Sequence, residues 1–242
     1  MTLGSNKAAL LKNQYVGDIN DYRKYGLLRC FAEAGFQLDV CWMLTANDRR
    51  RDGQRTAYLK DASRWRSFDP PLFDALAHAF AHHAARDVAL IQGAAVLPGA
   101  RFHSDVLIDS PAQRSDYFGI AGQRLITADL WFFDPDNGLE VRSKPYGTKG
   151  SSKYLYWQEL SAVWSRGVSL VVYQHFPHEN RDQYTERRCW EIREHAPGAV
   201  VAAARTSHAV FLVACQQAHR ARFDRALARL RWRWATQVIV AA

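Results

Sequence analysis

Leu130-Trp131-Phe132-Phe133-Asp134-Pro135-Asp136-Asn137-Gly138-Leu139-Glu140 is the stretch on which the fold turns. An uninterrupted apolar run ends abruptly in acids, an amide, proline and glycine. A short segment of this kind reads as a strand buried on both faces, as in a parallel sheet covered by helices. In such sheets ligands bind just beyond the carboxyl ends of the strands. Asp134, Asp136 and Asn137 therefore stand at a candidate site.

Working outward, Ser169-Leu170-Val171-Val172-Tyr173 reads as a second buried strand, ending at Gln174 and His175, and residues 38–44 as a third. Residues 106–109 read as another strand, closed by Asp109, and 88–91 and 94–97 as short strand-like pieces around Gly93. Helices are expected over residues 20–34, stopped by Gly35, and over 73–85, 113–128, 154–165, 181–195 and 218–231. Residues 199–204 and 209–215 read as paired strands with a tight polar link. Strands alternating with helices predict a three-layer α/β fold, Rossmann-like, with a mostly parallel sheet and an antiparallel C-terminal strand pair.

The chain has 242 residues, 48% of them hydrophobic, enough for one substantial core, and residues 1–242 read as one domain. Lys and Arg number 32 against 24 Asp and Glu, a net charge of +8, which favours an anionic partner such as nucleic acid or a nucleotide. Because the arginines are spread along the chain, a merely soluble basic protein fits the count equally well. Cys30, Cys41, Cys189 and Cys215 form no C-x-x-C pair and read as reduced, buried thiols. No apolar run approaches membrane-spanning length, and the N-terminus lacks the apolar core of a signal peptide, so the cytoplasm is the expected compartment.

At the opening stretch, Pro135 fixes the backbone, Asp134 offers an acceptor, and Asn137 offers both a donor and an acceptor. An amino group entering this turn would be hydrogen-bonded by the carboxylate and a backbone carbonyl at once. The plainer reading is a strand-to-loop junction with ordinary Asx turns. His175 and His178, at a strand's carboxyl end, are candidates to move protons, with a surface loop as the plainer reading. His82 and His83, in an alanine-rich helix, read as solvated or partly buried.

Lys144, Lys149 and Lys153 share a loop with Gly147 and Gly150, next to Tyr154, Tyr156 and Trp157. Such a loop, expected to be mobile, suits a nucleic-acid backbone, with Lys149, Lys153 and Tyr154 as substrate-binding candidates. The series Arg220, Arg222, Arg225, Arg229, Arg231 and Arg233 reads as a solvated helix face.

Two resemblances bear on function. Asn13-Gln14-Tyr15-Val16-Gly17-Asp18-Ile19-Asn20-Asp21-Tyr22-Arg23-Lys24-Tyr25-Gly26-Leu27-Leu28-Arg29, the Asp134 stretch, Lys153-Tyr154-Leu155-Tyr156-Trp157-Gln158-Glu159-Leu160 and Val171-Val172-Tyr173-Gln174-His175 together resemble a widespread set of bacterial proteins without an assigned activity. More distantly, the order of elements is similar to that of the bacterial ribosomal-RNA adenine-N6 methyltransferases. Their Gly-Asn-x-x-Asp-x-x-Lys segment is resembled by Gly17-Asp18-x-x-Asp21-x-x-Lys24, and their Asp-Pro-Pro-Tyr turn by Asp134-Pro135-Asp136-Asn137. The resemblance implies a methyltransferase-like fold, S-adenosylmethionine as cofactor, and an amino group, possibly of nucleic acid, as target. It implies a cofactor or substrate pocket lined by Asp18 and Lys24, ribose binding by Asp109, and Asp134 with the Pro135 carbonyl on the target amine. Asp136 and Asn137 replace the second proline and the stacking aromatic, and Thr45-Ala46-Asn47-Asp48 stands in place of a glycine-rich cofactor loop.

The same letters support other chemistries. An apolar strand followed by Asp134-x-Asp136 resembles the nucleophile strand of haloacid-dehalogenase-like phosphatases, where the first aspartate attacks phosphorus and magnesium is held by oxygen ligands. A magnesium-dependent phosphoryl hydrolase or nuclease using Asp134, Asp136 and Glu140, with His175 or His178 as further ligands, is the alternative enzyme. A non-catalytic nucleic-acid-binding or assembly protein with a degenerate methyltransferase fold is the third reading.

Overall fold

The computed structural model describes residues 16–46, 55–82, 87–93, 96–124 and 128–241. The expectations for His83, for residues 13–15 and for Asn47 and Asp48 fall outside them. The elements in order are α1 (Ile19–Glu33), β1 (Leu38–Cys41), α2 (Ala62–Trp65), α3 (Pro70–His82), α4 (Val88–Gly93), β2 (Arg101–His103), α5 (Pro111–Arg124), β3 (Leu130–Phe133), β4 (Gly138–Leu139), β5 (Tyr154–Leu155), α6 (Trp157–Trp164), β6 (Ser169–His175), α7 (Arg181–His195), β7 (Val200–Arg205), β8 (Ala209–Cys215), α8 (Arg220–Arg233) and β9 (Ile239–Ala241). Short 3₁₀ turns lie at Ala57–Lys60, Arg66–Phe68, Ser151–Lys153 and Gln217–His219.

A seven-stranded sheet runs in the order β2-β1-β3-β6-β8-β7-β9. β2, β1, β3 and β6 are parallel, β8 is antiparallel to both β6 and β7, and β9 adds an antiparallel edge beside β7. This is the Rossmann-like sheet with an antiparallel C-terminal pair that the sequence predicts. β1, β3 and β6 are in register through Leu38, Leu130 and Ser169.

Successive strand side chains point to opposite faces, so β3 feeds two cores. Leu130 and Phe132 join residues of α1, α3 and α8, while Trp131 and Phe133 join residues of α5, α6 and α7. The continuous apolar run is thereby explained: no position of β3 faces water. Cys30, Cys41 and Cys215 are buried, Cys189 is half-buried, and all are free thiols. Among the described residues no helix is long and apolar enough to cross a membrane.

Several local expectations are corrected. Residues 88–91 are helical, because Asp87 caps the segment by accepting the Ala89 amide at 2.8 Å, and a short apolar run has no period that separates strand from helix. Residues 106–109 form no strand beyond one bridge between Val106 and Leu44. The edge strand is instead β2, where Arg101 holds Asp39 of β1 through two bonds of 2.7 and 2.8 Å, a polar cross-strand pair that leaves no apolar run to read. The helix expected from residue 154 begins at Trp157, because Tyr154 and Leu155 pair with Gly138 and Leu139.

Nor is the lysine-rich loop an open linker. Asp109 accepts the amides of Gly150 and Ser152 at 2.8 and 2.7 Å, Lys144 donates to the Lys149 carbonyl at 3.0 Å, and the Tyr156 hydroxyl donates to the Lys144 carbonyl at 2.8 Å. The loop's polar letters are spent on its own closure.

What places the site is the order in which the strands were laid down. From β1 the chain crosses to β2 on one side, and the next sheet strand, β3, lies on the other side of β1. The connections therefore diverge at the carboxyl ends of β1 and β3 and leave a crevice there, the usual ligand position in open α/β sheets.

Candidate active site

The crevice holds a cavity of about 360 Å³, within the range of small-molecule pockets. Three segments build its polar floor: the start of α1, the end of β3 and the end of β6. Asp18 is the N-cap of α1, accepting the Asn20 amide at 2.9 Å and the Arg55 amide at 3.0 Å. Asp21, in the first turn, accepts the Gly17 amide at 3.0 Å and the Tyr25 hydroxyl at 3.2 Å. Gly17 has φ +83°, and a Cβ there would lie 2.3 Å from the Phe80 ring, so only glycine brings this amide to Asp21.

One turn on, at the i,i+3 spacing that puts two side chains on one helix face, Lys24 reaches into the crevice. Its Nζ lies 2.9 Å from Asp21 Oδ1 and 2.6 Å from Asp134 Oδ2, and 4.8 Å from the centre of the Tyr173 ring. The side chains of Lys24, Asp21 and Asp134 are 7%, 6% and 16% exposed, so this is a buried cluster of two carboxylates around one ammonium. Burial pushes the carboxyls of Asp21 and Asp134 above the ordinary range; Lys24 opposes the shift at both, Asp134 adds to it at Asp21, and Asp136 adds to it at Asp134. Burial works against the Lys24 ammonium, but Asp134 and Asp21 outweigh it and hold its pKa above the usual lysine value. Burial likewise keeps the phenols of Tyr25 and Tyr173 protonated.

Asp134 is fixed by the sheet itself, its amide donating to the Cys41 carbonyl at the end of β1 at 3.1 Å. Gly138, at φ +97°, lets the chain turn beneath Gln174, whose side chain sits 2.3 Å from where a Cβ would be. Gln174 accepts the Leu139 amide at 2.7 Å and donates to the Asn137 carbonyl at 3.3 Å, bracing the turn. The apolar wall includes Trp42, Met43 and Leu44 after β1, and Val88. Met43 has φ +48°, a left-handed conformation rare for a side chain of this kind and concentrated at functional sites.

Of the residues singled out in the sequence, Asp18, Lys24, Asp134, Pro135, Asp136 and His175 line this cavity. Asp136 is half-buried with Lys153 Nζ at 3.5 Å, and His175 packs edge-on against Tyr173. Asn137 is exposed, its backbone N–H donating to the Lys153 carbonyl at 2.8 Å. Asp109 is not on the cavity wall. It closes the loop described above, and although burial works against its charge, the amides of Gly150 and Ser152 hold its pKa below the usual value. Lys149 is exposed on that loop, and Tyr154 gives its carbonyl to Arg114.

The acids of the alternative metal set are divided among separate partners: Asp134 holds Lys24, Asp136 faces Lys153, and Glu140 accepts the Trp157 amide at 2.8 Å. Among the described residues no group of three or more His, Cys, Asp or Glu is placed to hold a metal ion.

No protein-family model matches this chain, and no curated protein is significantly similar to it. The site is therefore read from its own geometry. Sequence reading passed over Tyr173, Trp42 and Met43 because residues inside apolar runs read as core. Asp21 left a signal, since Asp18, Asp21 and Lys24 follow a helical spacing at a capped N-terminus. Gln174 left one too, as the polar end of an otherwise apolar strand.

Proposed function

We propose that this chain is an S-adenosylmethionine-dependent methyltransferase-like enzyme that acts on an amino group, with nucleic acid as the source of that group. The observation that carries the reading is Asp134, which holds an amino nitrogen, that of Lys24, at 2.6 Å inside the switch-point cavity of a Rossmann-like sheet. With Oδ2 on the Lys24 ammonium, the second oxygen of Asp134 is the one to accept an N–H from a substrate amine.

The residues present fit the cofactor's chemistry. Asp18, Asp21, Asp134 and Asp136 line the cavity against Lys24 and Arg55, an acidic site in a basic protein, which suits a cationic sulfonium compound better than an anionic nucleotide. Trp42, Met43, Leu44 and Val88 supply an apolar wall for a heterocycle. Bound S-adenosylmethionine supplies an activated methyl group. Asp134 and the Pro135 carbonyl orient the target nitrogen, and proximity supplies most of the acceleration. Asp134, made more basic by burial, takes the proton the nitrogen loses, while Lys24, itself held by Asp21, keeps the Asp134 carboxylate in place.

Calorimetric titration of the intact chain tests the reading. Saturable heat with S-adenosylmethionine in the presence of a chelator is the expected result. Heat with magnesium alone, or with neither, overturns it.

A further inference from the structure

A second cavity, about 690 Å³ and open to solvent, shares Arg55 with the first. Arg23 of α1, Arg55, Arg64 of α2, Arg181 at the start of α7 and Arg205 at the end of β7 line it, and the one carboxylate among its lining residues, Asp182, is already bonded to Arg205. We propose that this groove binds the phosphodiester backbone of single-stranded nucleic acid and leads a target base toward Asp134. The phosphate-binding part stands alone; delivery of a base rests on the amine chemistry proposed above.

The guanidinium groups are presented, not loose. Arg64 and Arg23 lie over the Trp65 ring at 5.2 and 5.8 Å from its centre, and Arg181 lies over Phe176 at 5.5 Å. Planar forks parked on aromatic faces lose less freedom when they grip a phosphate than extended side chains do. Their charge is only partly compensated: Asp182 answers Arg205 and Asp18 answers Arg55, whereas Arg23 donates twice to the neutral Gln237 side chain, at 3.2 and 2.7 Å, and Arg205 Nε is buried without a hydrogen-bond partner. The field is felt by His208 in the β7–β8 turn, whose pKa is lowered by burial and then by Arg55, Arg23 and Arg181.

An open groove assembled from α1, α2, α7 and β7 suits an extended polyanion better than a lone phosphate. A single strand is favoured over a duplex because a base amine reaches a buried carboxylate only after leaving the stack. Arg55, on the wall of both cavities, joins backbone binding to the acidic site.

Fluorescence anisotropy with a labelled single-stranded RNA oligonucleotide, across a salt series, is the test. The double variant Arg64→Glu, Arg181→Glu is expected to bind about tenfold more weakly or worse, and to lose about 1.4 from the log–log salt slope, about 0.7 for each phosphate contact. The charge-matched control Arg220→Glu, Arg231→Glu, on exposed positions of α8, is expected to stay within about twofold of the parent. Equal loss in both variants, equal binding of the duplex, or inorganic polyphosphate competing as well per phosphate as RNA would overturn the proposal. Arg64→Ala repeats the measurement with the smallest perturbation should the double variant fail to fold. Neither Arg64 nor Arg181 lines the acidic cavity, so S-adenosylmethionine heat in the double variant stays as in the parent, and failure of the groove is separable from failure of the amine reading.

Discussion

Arg114 and Lys24 are both buried cations held by carboxylates, and the contrast between them separates frame from site. Arg114 is fully buried and faces one acid: Nε and Nη2 donate to the two oxygens of Glu159 at 2.8 Å each, and Nη1 and Nη2 donate to the carbonyls of Ser151 and Tyr154 at 3.0 and 2.9 Å. Its guanidinium lies over Tyr156, 4.9 Å from the ring centre, and it lines neither the acidic cavity nor the arginine groove. Charge is balanced and every partner belongs to the protein. Lys24 has two acids, stands on a cavity wall and leaves one negative charge over. Burying charge is costly either way. Balance makes the cost structural, whereas imbalance leaves something for a ligand to complete.

The largest effect expected from breaking this contrast is on the reaction. Asp134→Asn keeps the shape but not the charge, and under the proposed function methyl transfer to an amine substrate should fall by about 10² to 10⁴ while thermal unfolding stays close to the parent. Unchanged turnover would reduce Asp134 to a structural partner of Lys24.

Next comes stability, where loss of the two cations should differ in size. Arg114→Met strands Glu159 and should cost about 3–5 kcal/mol in urea unfolding, because a buried charge loses its only counter-charge. Lys24→Met should cost somewhat less, about 2–3 kcal/mol at neutral pH, since the cavity admits water to its carboxylates. Without the ammonium, Asp21 and Asp134 keep pKa values raised by burial, so the folded state holds more protons than the unfolded chain. Stability of the Lys24 variant relative to the parent therefore falls as pH rises and is regained on acidification. A deficit equal at pH 5 and pH 8 would show that the two carboxylates are not sharing one cation.

The smallest effect sharpens the comparison at the edge of the site. His208 is held below its ordinary pKa by burial and by Arg55, Arg23 and Arg181. Arg181→Glu should move its NMR titration upward, and the difference should shrink in high salt. A titration that does not move would mean that no shared field fills the groove.

How much of this was legible depends on whether the information was local. β3 and β6 announce themselves because both faces are buried and an apolar run, Leu130–Phe133 in one and Leu170–Tyr173 in the other, leads up to the polar end. β2 does not, since its pairing rests on Arg101 meeting Asp39 of another strand. α4 was missed because six residues carry too little period. In the site, Asp134 stands out by contrast with its own strand, and Lys24 by the resemblance of its segment to a methyltransferase motif, but their meeting across 110 positions is a property of the fold. The groove was invisible for the same reason. Its arginines come from separate elements, so along the chain they read only as dispersed charge.

The hydrogen bond from the Asp134 amide to the Cys41 carbonyl has a consequence for motion. It makes the aspartate the last rung of the ladder between β1 and β3, so its backbone is tied directly to the centre of the sheet, the part of a fold that opens least readily. The acid can thus serve as a fixed datum. Breathing that admits a ligand to the crevice belongs to the segments around it, and the carboxylate meets that ligand with its backbone already held by the sheet.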